Sequence, residues 1–472
     1  MLFSSTTFIY LFLPGVILVY YGILRRSRLL QNVFLLAASL VFYAWGEPAF
    51  VFVMIASILI NWTLGLLIDK NREKRTAARV ILAADVLFNL GMLFVFKYLT
   101  FTGGLIRAIT GVDLHVSPIR LPIGISFFTF QAMSYVIDVY RQKGEVQTNL
   151  LYVGLYISFF PQLIAGPIVR YETIADEIKN RRETLDDFFD GFARFVVGLA
   201  KKVLLANSFA ILADRAFDTI RAGGTVSVLF GWLGAVAYSF QIFFDFSGYS
   251  DMAIGMGRMF GFHFLENFNY PYVSTSITEF WRRWHISLGT WFRDYLYIPL
   301  GGSRCSRGRN LFNLFAVWAL TGLWHGANLT FVVWGLMYFV LLAVEKTSGI
   351  TEKQGRAVTV FRWLYTAFFV LLGWVVFRSE SLRDAVVYLR SLFGLNGNAF
   401  ADGTFVGWFT QNAILLAVGA VVSTPVFRLL AEKTKDSRAV QALKTVGLIG
   451  LFVLSVASLV SNSYNPFIYF NF

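Results

Sequence analysis

Cysteine and charged residues are scarce in this sequence of 472 residues. The one cysteine, Cys305, excludes an intramolecular disulfide and a metal site built from several cysteines. Charged residues make up 15% of the chain, whereas soluble domains carry about 25%. Because so little charge cannot cover a surface that faces water, we expect much of the surface to face lipid.

Several enzyme motifs are missing as well. The sequence has no glycine-rich phosphate loop, no zinc-ligand spacing and no serine-hydrolase elbow. Histidine occurs four times, at His115, His263, His285 and His325. Because the pKa of a neutral imidazole lies near neutrality, histidine can remove a proton from a hydroxyl group. Any chemistry in this chain is therefore expected to depend on histidine.

Apolar residues, by contrast, make up 57% of the chain, and the mean hydropathy is +0.61. Apolar runs of about 20 residues, the length that crosses a bilayer, recur from end to end. They predict an all-α, polytopic transmembrane helical bundle with about 11 spans. No long Ser, Gly or Pro linker interrupts residues 1–472, so a single membrane domain is expected. The predicted spans lie near 5–24, 29–46, 49–68, 79–99, 121–140, 147–168, 227–246, 249–263, 310–345, 361–378, 407–430 and 442–461.

Basic residues account for a net charge of +13 and gather in short loops, such as Arg25 to Arg28 and Lys70 to Arg79. Basic clusters between apolar runs are typical of cytoplasmic loops, so we favour this interpretation over nucleic-acid binding. The first apolar run precedes its basic cluster, which is the reverse of a cleaved signal peptide. The sequence therefore predicts a retained first helix with its N-terminus outside.

Two polar regions are not predicted to cross the membrane. In residues 170–206 the apolar residues return at helical spacing among many charges, which predicts an amphipathic helix in the cytoplasmic interface. Residues 270–309 are rich in Trp, Arg and Gly. They are too polar to cross freely and too aromatic for a loop in water.

His325 lies in a strongly apolar stretch of the sequence. An ionisable side chain at membrane depth is costly and rarely faces lipid. On a continuous helix, Thr321, His325 and Asn328 would share one face and form a polar notch around the imidazole. The alternative is a histidine that only fixes helix packing. For His263 we favour interfacial anchoring, and for His115 we expect no function.

His285 belongs to an aromatic and basic segment. Basic residues beside aromatic ones suit a membrane interface that also receives an anionic ligand, although an ordinary interfacial helix has the same composition. Helical spacing predicts one face formed by Trp281, Trp284, His285, Leu288, Phe292 and Tyr295, with Arg282 and Arg293 away from it.

A third polar group interrupts the apolar stretch near residue 245. Gln241, Asp245 and Gly248 would share a helical face. A carboxylate in such a place must be paired or face a cavity. Pairing with an arginine is the simplest expectation, and positioning a histidine or carrying protons in a transporter are alternatives.

The segments around His285 and His325 resemble the membrane-bound O-acyltransferase family. The sequence is most similar to the bacterial branch with the membrane subunits of alginate O-acetylation and teichoic-acid D-alanylation. The matching segments cover almost the whole chain in order. They are FYAWGEP (Phe42 to Pro48), LPIGISFFTFQAMSYVIDVYR (Leu121 to Arg141), FFPQLIAGPIVRY (Phe159 to Tyr171), FFDFSGYSDMAIG (Phe243 to Gly255), NFNYPY (Asn267 to Tyr272), WRRWHISLGTWFRDYLYIPLGG (Trp281 to Gly302), GLWHGANLTFVVWG (Gly322 to Gly335) and FIYFNF (Phe467 to Phe472).

The resemblance implies a tunnel through the membrane and a set of site residues. His325, in the WHG motif, corresponds to the catalytic histidine of the family, and His285, in the RWH motif, to the second histidine. No metal and no bound cofactor is expected. We expect Arg282, Arg283, Arg293 and Trp284 to bind the donor, and Asp245, Asn328, Thr321 and Gln241 to support the tunnel.

The resemblance also implies an activity, an O-acyltransferase of the bacterial cytoplasmic membrane. Its donor would be a cytoplasmic acyl thioester, either acetyl-CoA or an acyl carrier protein. Its acceptor would be an extracytoplasmic polysaccharide, reached with the help of a separate hydrolase-like partner. D-alanyl transfer from a carrier protein to teichoic acid, a proton-coupled transporter and a non-catalytic scaffold remain alternatives.

Overall fold

The computed structural model describes residues 1–352, 355–434, 437–461 and 464–468. Within these ranges the chain forms helices and connecting turns and no β-strand, which confirms the predicted all-α fold. Eight helical stretches are long and apolar enough to cross a membrane, and two shorter apolar ones precede them. These stretches are Phe8–Ile23, Arg28–Ala44, Val51–Lys70, Arg75–Thr110, Leu185–Arg221, Val228–Met259, Leu329–Ser348, Arg356–Arg378, Gly403–Val422 and Arg438–Ser461.

The described residues divide into two compact units. The first contains Met1–Val196 and Tyr249–Glu266, and the second contains Val197–Gly248 and the described part of Asn267–Phe472. The helices Leu185–Ala200 and Val228–Met259 contribute residues to both units. The other helices of the first unit are Phe8–Phe12, Leu13–Leu18, Val19–Ile23, Arg28–Ala44, Val51–Lys70, Arg75–Leu93, Phe94–Tyr98, Leu99–Thr110, Ile125–Tyr140, Leu150–Ser158, Phe160–Leu163 and Tyr171–Asn180.

The second unit carries both histidines of the predicted site. Its core is rich in aromatic rings, including the fully buried Trp334, Trp374 and Tyr338. Its helices are Lys201–Ala206, Asn207–Arg221, Pro271–Val273, Ile277–Arg283, Ile286–Phe292, Arg293–Tyr297, Arg307–His325, Leu329–Ser348, Arg356–Arg378, Leu382–Leu392, Gly403–Val422, Val426–Lys433 and Arg438–Ser461.

Two predicted spans, 227–246 and 249–263, form a single helix of 32 residues, Val228–Met259. The polar residues between them suggested a break. However, a helix pairs its own backbone groups, so polar side chains do not break its backbone. Such side chains are tolerated in an apolar helix when they have partners of their own. Asp251 has such a partner, because the guanidinium of Arg194 lies 2.9 Å from its carboxylate.

In residues 170–206 two helices, Tyr171–Asn180 and Leu185–Ala200, have apolar and polar faces, which confirms the predicted amphipathic character. The second of them is longer than predicted. From Leu185 the chain runs as one apolar helical stretch of 37 residues to Arg221. Two lysines had marked the end of the predicted helix, but Lys202 is buried and pairs with Asp245 at 2.9 Å. Its charge is compensated and does not end the helix.

Candidate active site

Two of the four histidines come together in the second unit. The imidazole centroids of His285 and His325 lie 6.5 Å apart. His285 is buried and His325 is half-buried. His115 is in an exposed segment, and His263 is half-exposed beside Glu177, with 2.9 Å between imidazole and carboxylate. The structure therefore brings together the two histidines predicted to form the site.

His325 is the last residue of helix Arg307–His325. Gly326 continues in extended conformation, and Asn328 then caps the helix Leu329–Ser348 by accepting a hydrogen bond from the Thr330 amide at 3.1 Å. The predicted continuous helix through residues 321 to 328 was therefore wrong. An N-capping asparagine starts a new helix, so the chain reverses just after the histidine.

Thr321 therefore shares a helical face with His325, as predicted, whereas Asn328 lies beyond the end of that helix. The Thr321 hydroxyl donates to the Val317 carbonyl at 2.7 Å, within its own helix. The Asn328 amide group donates to the Glu380 carbonyl at 2.7 Å. Both side chains thus stabilise the backbone around the histidine.

Two glycines let the helices on either side of this turn approach closely. A methyl group on Gly322 would lie 2.4 Å from the Phe331 carbonyl oxygen. A methyl group on Gly335 would lie 2.4 Å from the Trp318 carbonyl oxygen. Small residues allow such backbone contact between helices in membranes. The position of His325 therefore depends on both glycines.

His285 occupies a break between the short helices Ile277–Arg283 and Ile286–Phe292. Its backbone is left-handed, with φ 48° and ψ 51°, and the preceding Trp284 is extended. The predicted single helical face from Trp281 to Tyr295 was therefore wrong. A left-handed residue reverses the local chain direction, so the side chains before and after His285 point differently.

Aromatic rings enclose the histidine pair. The His325 ring lies 5.1 Å from the Trp334 ring and 5.3 Å from the Phe377 ring, as measured between centroids. The His285 ring lies 5.9 Å from the Trp324 ring and 6.2 Å from the Phe268 ring. Such walls keep bulk water away from His285 and from part of the His325 side chain. Electrostatic interactions are stronger in a site of this kind than in water.

A larger cavity of about 460 Å³ shares Phe377 with the lining of the histidine pair. Its remaining wall is mostly polar and includes the predicted tunnel residues Gln241 and Asn328. Gln241 and Tyr238 are buried, and each contributes a polar atom with no hydrogen-bond partner among the described residues.

The charged residues of this cavity are paired with one another. The guanidinium of Arg378 lies 2.8 Å from the Asp214 carboxylate. Arg221 pairs with Glu380 at 2.5 Å and with Asp218 at 3.2 Å. The wall therefore offers polar contacts, but both of its arginines are already paired with carboxylates and do not favour an anionic ligand.

Asp245, another predicted tunnel residue, pairs with Lys202 and not with an arginine. Its second oxygen accepts a hydrogen bond from the Ile468 amide at 3.1 Å, and Lys202 also donates to the Pro466 carbonyl. The pair thus anchors the segment 464–468 near the C-terminus. Of the predicted FIYFNF motif, residues 469–472 lie outside the described residues.

The four predicted donor residues differ in their surroundings. Arg283 pairs with Glu279 at 2.9 Å, and Arg293 pairs with its neighbour Asp294 at 2.8 Å. Trp284 is buried and lines the small pocket that also contains both histidines. Arg282 is exposed and pairs with no carboxylate in the described ranges. Arg282 is therefore the one most available to an anionic ligand.

Sequence analysis did not identify two buried charged residues, Glu345 and Lys202, as part of the site. Glu345 accepts hydrogen bonds from the amides of Ile277 and Thr278, at 2.6 and 2.9 Å, and so caps the helix that leads to His285. Lys202 forms the ion pair with Asp245. Both lie on the buried side of mainly apolar helices, where a charged side chain signals a buried partner.

Known proteins are similar to this sequence along its whole length. Residues 145–377, which include both histidines, match the model of the MBOAT, membrane-bound O-acyltransferase family. The chain is 38% identical over 528 residues to a protein of Pseudomonas aeruginosa named probable alginate O-acetylase, covering 100% of both chains. It is 32% identical over 520 residues to the peptidoglycan O-acetyltransferase of Helicobacter pylori, covering 100% of this chain and 98% of that protein. With the teichoic acid D-alanyltransferase of Bacillus subtilis it shares 28% identity over 277 residues, 55% of this chain and 69% of that protein. The chain therefore belongs to the membrane-bound O-acyltransferase family and is an O-acyltransferase.

Proposed function

We propose that the protein takes an acetyl group from cytoplasmic acetyl-CoA and delivers it across the bacterial cytoplasmic membrane for O-acetylation of an extracytoplasmic polysaccharide. The observation that carries this proposal is the pair His285 and His325, 6.5 Å apart within aromatic walls. Full-length relatives named for the O-acetylation of alginate and peptidoglycan support acetyl as the cargo. A separate hydrolase-like partner outside the membrane would complete the delivery.

In this mechanism His325 acts as the general base. Its neutral imidazole takes the proton of an acceptor hydroxyl while the hydroxyl oxygen attacks the thioester carbonyl carbon. The carbonyl oxygen becomes an oxyanion, which an N–H of His285 stabilises by a hydrogen bond. The carbon–sulfur bond then breaks, and the departing CoA sulfur takes the proton from the His325 imidazolium. The products are the acetyl ester and free CoA, and both histidines return to their starting state.

The acceptor hydroxyl would enter through the larger cavity of about 460 Å³. Cavities of this size are typical of small-molecule sites in proteins. Tyr238 and Gln241 line this cavity and place polar side chains along the path of such a hydroxyl group. Phe377 lines both this cavity and the histidine pocket, so a hydroxyl that passes it would reach His325.

The direct test is acetyl-CoA turnover by the purified protein, in which release of free CoA is measured. Arg282→Ala should raise the KM for acetyl-CoA about 10- to 100-fold, since a hydrogen bond to a charged group contributes about 1.5–3 kcal/mol. Arg283→Ala serves as the control, because loss of its bonds to Glu279 and to the Asn269 carbonyl should lower the folded yield as well. If the wild-type protein cleaves no thioester, or Arg282→Ala reduces only the folded yield, the donor assignment is wrong.

D-alanyl transfer is the second candidate function. The Bacillus subtilis relative named for that activity aligns with only 55% of this chain. In the same assay, a D-alanyl carrier protein that is used in preference to acetyl-CoA would favour this alternative. A proton-coupled transporter would cleave neither thioester.

Transfer in this direction requires the N-terminus to lie outside and the basic loops to be cytoplasmic. We expect cysteines at positions 26 and 73, introduced into a Cys305→Ser background, to react with a membrane-impermeant thiol reagent only after permeabilisation. Both positions are exposed, and Cys305 is the one native cysteine. A cysteine at the exposed position 114, beyond the helical stretch Arg75–Thr110, should react in intact cells and serves as the control. Labelling of position 26 or 73 from outside would contradict the orientation.

A further inference from the structure

The turn that carries His285 is bonded on both sides to a segment of three residues, Asn267 to Asn269. Before the histidine, the Asn269 amide donates to the Arg283 carbonyl at 2.9 Å. After it, the Ile286 amide donates to the Asn267 carbonyl at 3.0 Å. The segment therefore fixes the backbone at both ends of the turn.

The side chain of Asn267 adds two further bonds. Its carboxamide oxygen accepts a hydrogen bond from the Ser287 amide at 3.1 Å and another from the Ser287 hydroxyl at 2.9 Å. Asn267 is only 2% exposed, so water does not replace these bonds when they are lost. Between the two asparagines, the Phe268 ring contacts the imidazole of His285.

The bonded turn holds an unfavourable backbone. His285 and Tyr270 are two of the four non-glycine residues with positive φ among the described residues, and Tyr270 directly follows the segment. A non-glycine residue keeps such a conformation only when its surroundings enforce it, and residues of this kind cluster at functional sites. Glycine would adopt the turn at position 285 without strain, but it has no imidazole.

We infer that Asn267 is a positioning residue for acyl transfer, acting through its hydrogen bonds to Ser287, which hold the imidazole of His285 beside His325. This inference rests on the proposed function. Asn267 has no role in proton transfer or in binding of the acyl donor. Its loss therefore changes the orientation of His285 and lowers the turnover of bound substrate.

The test compares Asn267→Ala in the wild-type protein and in a His285→Ala background. In the wild-type background kcat should fall about 10- to 100-fold, because misplacing a catalytic group by about 1 Å has an effect of this size, while the KM for acetyl-CoA changes little. In the His285→Ala background there is no imidazole to position, so the same substitution should cause no further loss. Asn398→Ala is the matched control, since it also removes two side-chain hydrogen bonds, which Asn398 donates to the Val226 and Ser391 carbonyls at 2.9 Å each.

A second readout is independent of turnover. Because the chain has only four histidines, selective ¹⁵N labelling gives a spectrum in which His285 is assigned by substitution. The imidazole signal of His285 should shift in Asn267→Ala and stay unchanged in Asn398→Ala. If the wild-type protein fails to turn over acetyl-CoA, the proposed function fails and this signal alone tests the positioning.

Three results would overturn the inference. They are an unchanged kcat in Asn267→Ala, an equal loss of kcat in both backgrounds, and an unchanged His285 signal. If Asn267→Ala does not fold, Ser287→Ala takes its place, because it removes one of the two bonds to the carboxamide and keeps the other. The same criteria then apply with a smaller expected loss.

Discussion

His325→Gln is expected to insert and fold normally while acetyl transfer per folded molecule falls by about 10²–10⁴-fold. This range is the usual contribution of a positioned general acid–base residue. Glutamine has a similar size and polarity, but its amide does not accept a proton as imidazole does. The measurement is the rate of transfer in detergent, or in cells that lack the native protein, divided by the amount of folded protein.

Two other histidine substitutions make this result specific. His285→Asn should lose less activity, because an amide N–H can still donate a hydrogen bond to the oxyanion. His115→Gln should leave activity unchanged, since His115 is exposed and is not part of the histidine pair. If His325 only fixed packing, thermal stability would fall and activity would follow in proportion. Near-normal specific activity in His325→Gln would disprove its role as the base.

Lys202→Met is expected to lower the free energy of unfolding by about 3–5 kcal/mol, since removing one partner of a buried ion pair leaves the other charge unpaired. The side chains of Lys202 and Asp245 are each 2% exposed, so water compensates neither of them. Lys202 also donates to the Asn207 side chain at 2.9 Å, and this bond is lost as well. The measurement is denaturant unfolding of the purified protein in detergent.

The double variant Lys202→Met/Asp245→Leu is the informative companion. It buries no charge and should regain part of the lost stability. Arg72→Met is the control, because the pair of Arg72 and Asp69 is more than a third exposed on both sides, and such pairs contribute about 0–1 kcal/mol. Wild-type stability in Lys202→Met, or a double variant as unstable as the single one, would contradict the assigned role of the pair.

Much of this architecture could be predicted from hydropathy and from short motifs. Apolar runs identified most of the helices, and an ionisable residue within an apolar run identified His325 as a candidate. These signals are local, because a helix in a membrane pairs its own backbone groups within one segment. The helix Val228–Met259 was predicted as two because polar side chains interrupt its apolar run. Its backbone groups are paired within the helix all the same, so the helix continues through them.

The details of the site depend on contacts between distant parts of the sequence. The left-handed turn at His285 is held by Asn267, and the charge of Asp245 is compensated by Lys202. Helical periodicity does not contain this information, so the sequence predicted one continuous helical face from Trp281 to Tyr295. Similarly, the end of the helix at His325 depends on the cap that Asn328 provides to the next helix. A sequence pattern can predict that such residues matter, whereas their partners come from the three-dimensional structure.

The close approach at Gly322 and Gly335 has a consequence for the tolerance of this site to mutation. Lipid tails are as apolar as leucine, so association of two helices in a membrane relies on tight packing. Adding one methyl group at either glycine would bring it within 2.4 Å of a carbonyl oxygen on the facing helix, and the two helices would have to separate. His325 ends one of these helices, so it would move with that helix and its distance to His285 would change. The distance between the two histidines is thus set partly by two positions that have no side chain, and a larger residue there should lower acyl transfer although it touches neither imidazole.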